Sequence, residues 1–161
     1  MQDRRIHVDR NQRIRTAYIA FPLVVGALAG FLTRNGLSIY KSLNHPAFSP
    51  PGWLLPIIWT VLYILMGIGS YLAASSPSHR KNQSLRLYGI QLLLNFLWNL
   101  VFFNLNNYLL AFLVLLFLWY FILKMIAAFW SVSPDAAVLQ IPYLLWVTFA
   151  AYLNLGIVFL N

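Results

Sequence analysis

Three sets of polar and aromatic residues recur at helical spacing inside otherwise apolar runs, and they are where this chain could do chemistry. Trp59, Tyr63 and Ser70 share one side of a helix; Gln91, Asn95 and Asn99 form a ladder of amides; Trp146, Ala150 and Asn154 repeat the same four-residue interval. Indole faces stack on flat conjugated molecules, and amides hydrogen-bond either a ligand or a neighbouring helix. Spacing alone does not decide between those two uses of the amides. It does predict that all three faces turn inward, because an amide facing hydrocarbon without a partner is costly.

Other chemistries find little support. The chain has no cysteine, which removes disulfides, thiolate nucleophiles and Cys-ligated metals. His7, His45 and His79 are far apart and lack ligand-like spacing. The acidic residues Asp3, Asp9 and Asp135 all fall outside the apolar runs, which disfavours a proton-coupled carrier. No GxSxG, P-loop, HExxH or helically spaced carboxylate pair occurs, so ordinary hydrolysis is not indicated. Lys124 interrupts the fourth apolar run and is expected to snorkel toward the interface.

The elements that must position these residues are membrane helices. Of 161 residues, 61% are hydrophobic and 9% charged, a balance suited to lipid as solvent. Crossing about 30 Å of hydrocarbon takes about 20 helical residues, and five such runs fit: about 16–33, 53–74, 85–103, 108–130 and 136–160. The fold class is therefore an all-α, integral membrane, five-helix transmembrane bundle, residues 17–161 forming one domain behind a basic tail at 1–16. Three prolines and two glycines in 34–52 make the longest connection, a candidate lid. Basic residues concentrate in the tail and at Arg80, Lys81 and Arg86, with Arg34 and Lys41 opposite, so the amino terminus is predicted cytoplasmic. Of the 11 Lys and Arg, against 3 Asp and Glu, all but Lys124 cluster in the tail, in loops or at the ends of apolar runs, pointing to lipid headgroups and not to nucleic acid. Trp119 and Trp130 read as an interfacial aromatic belt, and Gly26 with Gly30 permits close backbone approach within the bundle or across a dimer.

The segment Tyr40–Tyr71 (YKSLNHPAFSPPGWLLPIIWTVLYILMGIGSY) resembles the TspO/MBR family, the tryptophan-rich sensory or translocator proteins formerly called peripheral benzodiazepine receptors. Gln91–Phe103 (QLLLNFLWNLVFF) and Pro142–Asn154 (PYLLWVTFAAYLN) resemble the same family, and together the likeness spans 18–161. It implies a five-helix, homodimeric membrane receptor or sensor in stress responses, binding protoporphyrin IX or a related tetrapyrrole under the first loop, with no cofactor required. Tyr40, Pro50, Trp59, Asn95, Trp146 and Ala150 match the family's ligand-binding positions. In some bacterial members the tryptophans matching Trp59 and Trp146 are implicated in light- and oxygen-dependent porphyrin degradation, so an enzyme is one alternative and a porphyrin transporter another.

Two departures bear on the ligand. The animal sterol-recognition pattern needs Tyr followed by Arg or Lys at the end of the fifth helix, and this chain reads LNLGIVFLN, leaving sterol binding unsupported. Phe48 stands where many members have Trp, which keeps an aromatic lid without the indole donor. Arg34, Lys41 and His45 are the candidates to meet porphyrin carboxylates at the mouth.

Overall fold

The computed structural model describes the backbone of residues 2–161 and the side chains of 11–36 and 38–161. Its helices are α1 (Gln2–Leu32), α2 (Gly36–Ser42), α3 (Leu54–Ser75), α4 (Lys81–Phe103), α5 (Tyr108–Trp130), α6 (Pro134–Val138) and α7 (Ile141–Leu160). Among the described residues, five stretches are long and apolar enough to cross a membrane: Asn11–Leu32, Leu54–Ser75, Lys81–Phe103, Tyr108–Trp130 and Pro134–Leu160. The chain is an integral, multi-pass membrane protein.

Residues 2–16, the basic tail of the sequence reading, are helical and run into the first span without a break, since no helix-stopping residue occurs before Pro22. One feature differs from that reading. The fifth crossing is divided. Ser133 caps α6 through its side chain, and α7 starts afresh with Pro142 in its first turn, where a missing N–H does no harm.

α5 is the pillar of the bundle. Ala111, Leu115, Leu118, Ile122, Met125 and Phe129 recur at intervals of three and four residues and are wholly buried against the other helices. Because lipid is as apolar as these side chains, their contribution is dispersion and close fit. The Trp119 indole donates to Thr148 Oγ1 at 2.8 Å, tying α5 to α7, so this residue does more than sit in an interfacial belt. Trp130 is exposed, and Lys124 Nζ lies 5.5 Å from the Tyr120 ring centroid on the outer surface.

α1 packs on α3 through glycines. A Cβ on Gly67 would stand 2.6 Å from Ile19 Cα and 3.0 Å from the Tyr18 carbonyl oxygen, the carbonyl that Pro22 leaves without its helical N–H partner. A Cβ on Gly26 would collide with the Tyr63 ring, whereas one on Gly30 would meet nothing within 4 Å. Of the GxxxG pair, Gly26 thus seats an aromatic ring within the bundle, while Gly30 borders open space.

Gly67→Ala is therefore expected to cost about 1–3 kcal/mol by forcing two backbones apart. Gly30→Ala is expected to be neutral or slightly stabilising. Thermal unfolding in detergent compares the two; equal midpoints would contradict the close-approach assignment.

Candidate functional site

The helices part near the end where α1 finishes and α7 ends, leaving a cavity of about 590 Å³. Its walls come from α1 (Leu23, Gly26, Ala27), α3 (Leu55, Trp59, Tyr63), α4 (Trp98, Asn99, Phe102) and α7 (Trp146, Ala150, Asn154), with Tyr40 of α2 at the top. Small residues of α1 leave the space and aromatic residues of α3, α4 and α7 shape it.

Trp59 is the centre of the aromatic wall. Its ring centroid lies 5.8 Å from Tyr63, 5.9 Å from Trp98, 6.4 Å from Tyr143 and 6.5 Å from Trp146, the last pair mutually perpendicular at 90°. Such edge-to-face and tilted pairs are the favoured aromatic geometries, each worth about 0.5–1.5 kcal/mol beyond burial. The Trp98 indole is fixed by a neighbour in the wall: Nε1 donates to Asn154 Oδ1 at 3.1 Å, and Asn154 Nδ2 donates to the Tyr108 carbonyl at 2.8 Å. Trp146 Nε1 is buried without an acceptor.

The floor is a column of hydrogen bonds. The Tyr63 hydroxyl donates to Asn95 Oδ1 at 2.7 Å, Asn95 Nδ2 donates to the Tyr143 hydroxyl oxygen at 3.1 Å, and Tyr143 donates to Gln91 Oε1 at 2.9 Å. Gln91 and Asn95 are fully buried. The amide ladder therefore divides by depth. Gln91 and Asn95 join helices, while Asn99, whose Nδ2 donates to the Asn95 carbonyl at 3.0 Å, borders the cavity.

The six family positions are distributed accordingly. Tyr40, Trp59, Trp146 and Ala150 line the cavity. Asn95 lies beneath it, and Pro50 lines a second hollow, its carbonyl accepting the Tyr40 hydroxyl at 3.0 Å. Burial pushes the Tyr40 phenol above its ordinary pKa, so it stays a neutral donor to that carbonyl at physiological pH.

Of the three cationic candidates at the mouth, Arg34 borders the cavity, while Lys41 and His45 line a separate hollow outside the loop. Arg34 is exposed, its guanidinium carbon 6.0 Å from the Phe31 ring centroid. The His45 ring instead packs on Tyr40 at 4.2 Å. Phe48 is no lid over the cavity: it takes a left-handed backbone conformation (φ 65°) and points outward, 88% exposed. Sequence reasoning passed over Trp98, although its position three residues after Asn95 placed it on the same helical face. It also missed the α1 wall, because alanine and glycine carry no chemical signal.

The TspO/MBR family model matches residues 18–160. A tryptophan-rich protein TspO from Chlorobaculum tepidum is 38% identical over 146 residues, covering 89% of this chain and 92% of the relative. The tryptophan-rich sensory protein of Cereibacter sphaeroides is 37% identical over 122 residues, 76% of each chain. The translocator protein of Ovis aries is 39% identical over 127 residues, 77% of this chain and 75% of the relative. A match running from the middle of α1 to the end of α7, with relatives covered over most of their length, leaves one assignment: the chain belongs to the TspO/MBR family.

Proposed function

We propose that this protein is a membrane receptor or sensor that binds a tetrapyrrole such as protoporphyrin IX in the cavity. The observation that carries the reading is the aromatic enclosure around Trp59, about 590 Å³ in volume, with Arg34 as the charged side chain on its rim. That volume lies within the range of small-molecule sites, roughly 300–1,000 Å³, which are mostly apolar with a few orienting polar groups. A flat macrocycle can stack against the indoles of Trp59 and Trp146 while a peripheral carboxylate meets Arg34. The names of the bacterial and animal relatives, sensory protein and translocator protein, agree with a ligand-responsive membrane protein.

The same reading orients the chain. Arg80 and Lys81 lie at the end of the bundle opposite the cavity mouth, the end from which α1 enters. By the positive-inside rule that end is cytoplasmic, and the mouth opens on the other face.

A second reading is photo-oxidative porphyrin degradation. It is favoured by the Trp59 cluster, where electron-rich indoles in mutual contact stand beside the place a porphyrin would occupy. The protein's part would be to hold the porphyrin and supply oxidisable rings, the light absorption being the ligand's own.

Titration with protoporphyrin IX in the dark is expected to quench tryptophan fluorescence saturably; no quenching would sink the reading. Arg34→Gln should weaken protoporphyrin IX by about tenfold, about 1.4 kcal/mol for one charge-assisted contact, yet leave its dimethyl ester unaffected. Under illumination in air, a Trp59→Phe, Trp146→Phe double variant separates the two readings. Bleaching as fast as in the unsubstituted protein would remove specific degradation.

A further inference from the structure

The first loop is fastened to the end of α7 by hydrogen bonds at a sequence separation of 117. The backbone N–H of Asn44 donates to Asn161 Oδ1 at 2.9 Å, and Asn161 Nδ2 donates back to the Asn44 carbonyl at 3.0 Å. This is a closed amide ring, with a side chain pairing a backbone as a neighbouring strand would. Asn44 Nδ2 adds a bond to the Leu160 carbonyl at 3.2 Å, and Asn161 Nδ2 one to the Ile157 carbonyl at 3.1 Å. Both carbonyls belong to the last turn of α7, and the Ile157 carbonyl accepts the Asn161 backbone N–H as well.

Two neighbouring contacts continue the seam. The Tyr152 hydroxyl donates to the Ala47 carbonyl at 3.0 Å, and Pro46 sits on Gly156, where an added Cβ would come within 2.6 Å of its ring. Beyond the seam the loop returns to Pro50, whose carbonyl holds the Tyr40 hydroxyl over the cavity. Moving Tyr40 and the loop away from α7 therefore requires this seam to part.

We propose that Asn44 and Asn161 form a latch that holds residues 43–52 closed and sets the rate at which ligand exchanges with the cavity. The bonds are solvent-exposed, so water replaces them readily and each contributes a modest factor. Many exposed polar bonds with one apolar seat suit a segment that opens reversibly. Neither asparagine borders the cavity, so the latch acts on the path and not on the bound ligand. The kinetic part rests on the cavity being the ligand site; the closure itself does not.

The experiment has two arms, both on the full chain in detergent or nanodiscs. Hydrogen exchange of the ligand-free protein reads the latch directly, since the Asn44 amide is one of its donors. In Asn161→Ala, exchange at Asn44 and the following loop amides should rise about tenfold while α5 amides stay unchanged. Gly156→Ala, which unseats Pro46 without touching either asparagine, should act in the same direction.

Stopped-flow mixing with protoporphyrin IX is the second arm. Association and dissociation rate constants in Asn161→Ala should both rise by about tenfold, leaving Kd within about twofold. Unchanged loop exchange in both variants would overturn the latch, and so would a weaker Kd with an unchanged association rate, which would make Asn161 a ligand contact. Absence of porphyrin binding by the unsubstituted protein would defeat the proposed ligand, and the exchange arm would still decide the latch.

Discussion

The structure turns on the hydrogen-bonded column from Tyr63 through Asn95 and Tyr143 to Gln91. It joins α3, α4 and α7 at one level of the bundle, in a medium where an amide or phenol without a partner is expensive and no water is at hand. Because each group finds its partner on another helix, the three helices are held in one register. On one side of the column the bundle closes on α5, with Ile122, Met125 and Phe129 fully buried. On the other side the cavity begins, Tyr63 belonging to both.

Above that floor, space is kept by what surrounds it. Gly26 lets the Tyr63 ring lie against α1, and Gly67 lets α1 and α3 touch backbone to backbone, which anchors α1 while its Gly30 end borders the opening. Trp98 is fixed by Asn154, which is fixed in turn by the Tyr108 carbonyl, so the wall nearest Trp59 does not collapse inward. The cavity is thus preorganised by bonds that its own wall residues make to one another and to the helices around them. A ligand entering it pays little to order the wall.

Much of this was legible in the chain. The five spans follow from apolar length alone, and the inward direction of Trp59, Asn95 and Trp146 follows from helical spacing and the cost of polar groups in lipid. What spacing could not resolve was depth. Asn95 and Asn99 are one turn apart on the same face, yet the first bonds Tyr63 and Tyr143 and the second borders the cavity, a difference set by partners on distant segments. The α1 wall was hidden because its space is made largely by small residues, Gly26, Ala27 and Gly30, which carry no chemical signal. The break between α6 and α7 and the outward turn of Phe48 depend on local backbone geometry that composition does not encode. The pairing of Asn44 with Asn161 joins two residues that are unremarkable in sequence and meaningful only once the loop crosses to α7.

Asn95→Leu tests most directly whether the column builds the cavity. The substitution keeps the branched shape but deprives the Tyr63 and Tyr143 hydroxyls of a shared partner, a loss of roughly 1–3 kcal/mol. Thermal unfolding and protoporphyrin IX titration of the same sample should show lower stability and weaker binding together. Full stability with binding abolished would make Asn95 a direct ligand contact and contradict the account, as would both properties remaining unchanged.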